Sequence, residues 1–152
     1  MTLTFRLMLL AGLTCSPVLA IAALGGDEAQ IPNDAAIGRM ALRAFAPGDS
    51  RFRVHELRDA ARNVSVRQYV NPDGKVFGVA WEGQTKPDLS QLLGPYYARY
   101  ANAAAGHGLA RQLRTIDQPD FVLRVSGHMR HFTGSAWVPN LVPANVNPTE
   151  VK

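Results

Sequence analysis

His128-Met129-Arg130-His131 is the stretch whose residue types most readily do chemistry. Imidazoles three apart are neighbours on a helix and can share a metal ion there. On a regular strand the same spacing sends them to opposite faces. The flanking sequence reads as strand, so joint ligation would need a bulge at Gly127 or Gly134. Glycine inside a strand marks such a bulge or a close backbone approach, and Gly127 is expected to need a positive φ. Neither cysteine nor carboxylate stands at a metal-ligand spacing from the pair. A structural or surface role therefore describes these histidines better, and His128, Arg130 and His131 form a candidate interaction site. Ser126-Gly127-His128 sets a hydroxyl beside an imidazole but lacks the G-x-S-x-G elbow that presents a serine nucleophile. Glu82 and Asp88 are the carboxylates that would work with His128 in a small hydrolase or metal-dependent enzyme. Asp88 is better explained as a helix cap, and Glu82 as a strand end facing away from the apolar side. No catalytic, cofactor-binding or metal-binding residue is assigned, and no cofactor is expected.

Trp81, Tyr96, Tyr97, Tyr100 and Trp137 would suit a stacking platform, but aromatics at helix and strand spacing are more often core. Tyr97 lies off the main helix face, beside Arg99, and joins the candidate interaction site.

The elements that must position these residues follow from periodicity. Asp34 to Ala46 can form a short helix with Ile37, Met40, Ala41 and Ala44 on one face, weakened by Gly38 and ended by Pro47-Gly48-Asp49. Arg51 to His55 alternates as a strand. Val64–Val70 and Lys75–Glu82 are the clearest strands, joined by Asn71-Pro72-Asp73-Gly74, a turn sequence. With a four-residue loop Val70 faces Lys75, Gln68 faces Phe77, Val66 faces Val79 and Val64 faces Trp81. Val64, Val66, Val70, Phe77, Val79 and Trp81 then share one side. Pro87-Asp88-Leu89 starts a helix that Asp88 caps, with Leu89, Leu92, Leu93, Tyr96 and Tyr100 in line. Gly94-Pro95 kinks it, and Gly106 ends it. Gly106-His107-Gly108 opens a mobile stretch. Phe121, Leu123 and Val125 alternate inward, and His128–Thr133 and Ser135–Val138 read as further strand. The fold class is α+β: an antiparallel sheet of about five strands with one main helix, kinked, packed on one face.

The N-terminus has one basic residue, Arg6, then the apolar run Leu7–Leu13, then small residues ending at Ala22, the order of a secretory signal peptide. Cleavage is expected after Ala22. Thr14-Cys15-Ser16-Pro17 interrupts the run, which argues against an uncleaved membrane anchor. Gly12 and Thr14 are a poor setting for lipid attachment at Cys15, so the mature chain has no cysteine and no disulfide. Residues 1–22 are thus a signal peptide, 23–49 an N-terminal extension, partly flexible, 50–139 the α+β domain and 140–152 a Pro-rich extended tail. Twelve arginines, three lysines and twelve acids follow residue 22. The arginines are scattered and interleaved with acids. That pattern fits a solvated surface and argues against nucleic acid.

Ala23-Leu24-Gly25-Gly26, Val66-Arg67-Gln68-Tyr69-Val70, Gly74-Lys75-Val76-Phe77-Gly78-Val79-Ala80-Trp81-Glu82-Gly83, Pro87-Asp88-Leu89, Leu92-Leu93-Gly94 with Tyr96-Tyr97, Ser126-Gly127-His128-Met129, Phe132-Thr133-Gly134 and Ala136-Trp137-Val138-Pro139 occur in this order. Together they resemble an exported proteobacterial family known as domain of unknown function 2844, over about residues 50–145. The chain departs from that pattern at Arg130-His131 and at Asn145, where smaller residues are expected. The resemblance implies a periplasmic or secreted protein and supplies no activity, substrate, cofactor or catalytic residue. The expected function is a non-enzymatic binding or interaction module. Its partner would be an envelope or secreted protein, with no nucleic acid and no membrane span after cleavage.

Overall fold

The fold is given by a computed structural model that describes residues 23–45, 51–106 and 114–152. The expected signal peptide with Cys15, the expected turn at Pro47-Gly48-Asp49 and the stretch after Gly106 lie outside the described residues. In chain order the elements are α1 (Ile31–Gly38), β1 (Ala41–Phe45), β2 (Arg53–Asp59), β3 (Val64–Val70), β4 (Val76–Gly83), α2 (Leu89–Leu93), α3 (Tyr97–Gly106), β5 (Arg114–Gln118), β6 (Phe121–His128) and β7 (His131–Trp137). The strands form one antiparallel sheet in the order β1-β2-β3-β4-β7-β6-β5.

The α+β class and the antiparallel sheet are as expected, but the sheet has seven strands rather than about five, and α1 is a second helix beside the one main helix expected. The two additional strands are the edges of the sheet. The expected helix over 34–46 is a shorter α1 that stops where Arg39 takes a left-handed φ of 52°. Ala41–Phe45 then pairs with β2, so pairing overrides a weak helical pattern. Gly94-Pro95 does divide the main helix: a 3-10 turn over Gly94–Tyr96 separates α2 from α3. Asp88 accepts from the backbone N–H groups of Ser90 and Gln91 as the α2 cap.

The first face of the sheet buries Val64, Val66, Val70, Val79, Trp81, Phe121 and Leu123 beneath Ile31 and Ala35 of α1 and Leu89, Leu92 and Leu93 of α2. Phe121 stacks on Tyr96, with ring centroids 5.0 Å apart. The second face is covered as well, which a sheet with a helix on one side does not anticipate. Phe52, Val54, Tyr69, Phe77, Ala80, Val122 and Trp137 pack there against Val146 and Val151. Residues 140–152, read as an extended tail, return across this face through 3-10 turns at Pro139–Leu141 and Pro148–Glu150. Residues 23–31 are likewise tied down. Gly25 donates to the carbonyl of Val76, Val76 to Gly26 and Glu28 to Gly74, while Leu24 and Ile31 are fully buried.

The β3–β4 hairpin forms with a different register. Val66 pairs with Trp81 and Gln68 with Val79, whereas Val70 pairs with Val76. The pairing jumps between Tyr69 and Val70, leaving Phe77 as an extra residue in a bulge. A bulge reverses the alternation beyond it. Phe77 therefore lies in the second-face core, and the other five residues expected with it stay on the first.

Candidate functional site

Beyond the apolar part that the tail covers, the second face continues as an open polar surface. Alternation puts Glu56 and Arg58 of β2, Ser65 and Arg67 of β3, Glu82 of β4, and His131, Thr133 and Ser135 of β7 on this side. Their register partners run straight across the sheet: Glu56 to Arg67, Arg58 to Ser65, Ser65 to Glu82, Glu82 to Thr133. A groove of about 610 Å³ lies over this surface, lined by Arg58, Asn63, Ser65, Arg67, Glu82, Arg130 and His131 among others. A second depression of about 260 Å³ shares Ser65, Arg67 and Glu82 and extends to Thr133 and Ser135.

Several of the charges that line the groove have partners of their own. Glu56 accepts a hydrogen bond from the Ser65 hydroxyl at 3.0 Å. Its Oε1 lies 3.8 Å from the guanidiniums of both Arg58 and Arg67. Arg67 also donates to the backbone carbonyl of Lys152 at 2.7 Å, and the Tyr69 hydroxyl donates to the same oxygen at 2.7 Å. The Arg58 side chain is 66% exposed, and Arg130, Glu82 and His131 are exposed too. Arg58 and Arg67 stand on strands and Arg130 on a tight turn, so the fold sets the spacing of these cations.

His128 and His131 do not lie three apart on one strand. Met129 and Arg130 form the turn between β6 and β7, and the backbone register pairs His128 directly with His131. The expectation of opposite faces fails because the chain reverses between them. Arg130 carries the positive φ of this turn, 64°. Gly127 has no positive φ and no register break interrupts β6 and β7. What Gly127 provides is room, because a Cβ there would lie 2.8 Å from Cδ1 of Phe132. Among the described residues no group of three His, Cys, Asp or Glu side chains could hold a metal ion.

The remaining candidates separate. Glu82 lines the groove with His131, whereas Asp88 caps α2, the helix that covers the first face. The Ser90 hydroxyl, chiefly, and the N–H groups of Gln91 and Ser90 hold the Asp88 carboxyl below the usual carboxylate range, against burial. Tyr97 is 37% exposed on α3, against Tyr100 at 6.0 Å, and is not among the groove residues. Trp81, Tyr96 and Trp137 serve the core.

Sequence reasoning did not single out Arg58, Ser65 or Arg67. Their common signal is alternation: Ser65 and Arg67 sit between buried residues of β3, and Arg58 follows the buried Leu57 on β2. It also missed Glu28, which accepts from Arg53 at 2.9 and 2.6 Å and lies 2.8 Å from Nε2 of His55. Arg53, foremost, and His55 lower the Glu28 pKa against the opposing effect of burial. This cluster joins the N-terminal segment to β2.

No curated protein and no solved structure matches the chain. A family profile described as protein of unknown function, DUF2844, matches residues 20–151. That range takes in the tail on the second face and the N-terminal segment as well as the sheet, and the chain belongs to this family.

Proposed function

We propose that this chain is an exported, non-enzymatic binding module, periplasmic or secreted, whose partner is an acidic envelope component seated on the polar half of the second sheet face. One observation carries the reading: Arg58, Arg67 and Arg130 line one open groove on the sheet. Positive side chains fixed by a scaffold raise the local concentration of an anionic partner and orient it without reorganising. No helix among the described residues is long and apolar enough to cross a membrane.

Two measurements test it. The intact mass of protein recovered from the periplasm or medium should correspond to residues 23–152; retention of residues 1–22 or a lipid on Cys15 would refute export as read. Crosslinking in the native envelope should capture a partner with the wild type and lose it with Arg58→Glu.

A second reading, an enzyme using His128 with Glu82, is favoured by the direct pairing of His128 with His131 and by Glu82 lining the same groove as His131. One equivalent of bound metal in the purified protein, lost in His128→Ala, would select that reading instead.

A further inference from the structure

We infer that the groove binds a linear acidic polysaccharide, a chain of sugar rings bearing carboxylates at intervals. This rests on the groove being the binding surface. The first argument is the spread of the cations. Arg58 is on β2, Arg67 on β3, and Arg130 at the turn that begins β7. In the sheet β2 and β7 are three strand spacings apart, about 14 Å. A single carboxylate can lie beside both Arg58 and Arg67, as that of Glu56 does, whereas a chain crossing the strands reaches Arg130 as well. Each guanidinium presents a planar fork suited to a carboxylate.

The groups between the cations give the second argument. Ser65 and Asn63, with Thr133 and Ser135 in the adjoining depression, are neutral donors and acceptors, which match sugar hydroxyls. Glu82 lies among them. An ionised carboxylate only accepts hydrogen bonds, so it suits a hydroxyl and repels a chain charged at every residue. The ligand is thus sparsely charged, which excludes nucleic acid and polyphosphate.

The third argument concerns what the groove lacks. The apolar lining is Ala60 and Val64 in the groove and Ala80 and Trp81 in the adjoining depression, and Val64, Ala80 and Trp81 are themselves buried in the cores. A protein partner draws most of its affinity from apolar or aromatic anchors in a desolvated centre. Neither is offered here, so a polysaccharide fits better than an acidic protein.

The test is titration of the purified protein with hyaluronan oligosaccharides, an oligouronate with one carboxylate on every second sugar ring, with neutral dextran, with polyglutamate and with heparin. Oligouronate should bind, dextran should not, and binding should weaken as salt rises. Arg58→Ser and Arg130→Gly should each weaken oligouronate binding about tenfold, or roughly 1.4 kcal/mol. Arg130→Gly keeps the fold, since glycine accepts the positive φ at that position. Glu82→Gln should shift preference toward heparin. Polyglutamate binding as tightly as oligouronate would overturn the inference in favour of an acidic protein, and oligouronate binding indifferent to both arginines would overturn it as non-specific. If no oligouronate binds while envelope crosslinking still depends on Arg58, the polysaccharide is wrong and the groove stands. If crosslinking ignores Arg58 too, both fail.

Discussion

Trp81 and Gly134 show how one side chain decides the space around it. They are direct partners between β4 and β7, and Trp81 is 3% exposed. A Cβ on Gly134 would collide with the six-membered ring of Trp81, so the ring lies over bare backbone. Trp81→Ala should cost roughly 3–5 kcal/mol in denaturant unfolding, the range for a buried tryptophan. A loss below about 1 kcal/mol would place the ring at the surface. Gly134→Ala should destabilise by about 1–3 kcal/mol through overpacking, and far less in a Trp81→Leu background, because contacting residues are not additive. Equal losses in both backgrounds would assign the Gly134 effect to its backbone alone.

At the scale of elements, each boundary answers to a local device. Asp88 is the clearest, since its carboxylate receives the N–H groups of Ser90 and Gln91 at 2.9 and 3.3 Å. Asp88→Ala should lower stability by about 0.5–2 kcal/mol, with Asp88→Asn keeping most of the stability, measured by urea unfolding. The same side chain gives a sign for pH. Its folded-state pKa is depressed, as is that of Glu28, chiefly by the hydrogen bond from Arg53. A depressed carboxylate contributes stability above its unfolded pKa and loses it as pH falls through the folded value. Melting temperature should therefore fall as pH drops below about 4.5, and less steeply in Glu28→Gln. A wild-type profile flat to pH 3 would contradict both the cap and the ion-pair assignments.

For the whole molecule, two cores rather than one set the stability. The C-terminal segment closes the second, where Val151 is 3% exposed and lies over Gly78. Val151→Asp should put an unpaired charge in that core and cost about 3 kcal/mol or more, with a matching drop in thermal midpoint. If stability is unchanged, the tail is not a structural part of the sheet. At the border of the groove Arg67 and Tyr69 hold the backbone oxygen of Lys152.

Local information sufficed for much of this architecture. The alternation in Val64–Val70 and Phe121–Val125, the Asp88 cap and the break at Gly94-Pro95 each act within a few residues, and each is legible in the sequence. The class of fold follows, because such strands must bury one side. The register of β3 on β4 was decided by tertiary structure, since a bulge at Phe77 costs little locally and pays only when a second core receives the ring. The edge strands were hidden for a similar reason: Ala41–Phe45 has no pattern strong enough to be a strand until β2 lies beside it. His128 and His131 came together through a chain reversal that spacing alone reads as its opposite. The groove depended most on the fold. Arg58, Arg67 and Arg130 are scattered in sequence and become one surface only when three strand pairings and a turn set them side by side.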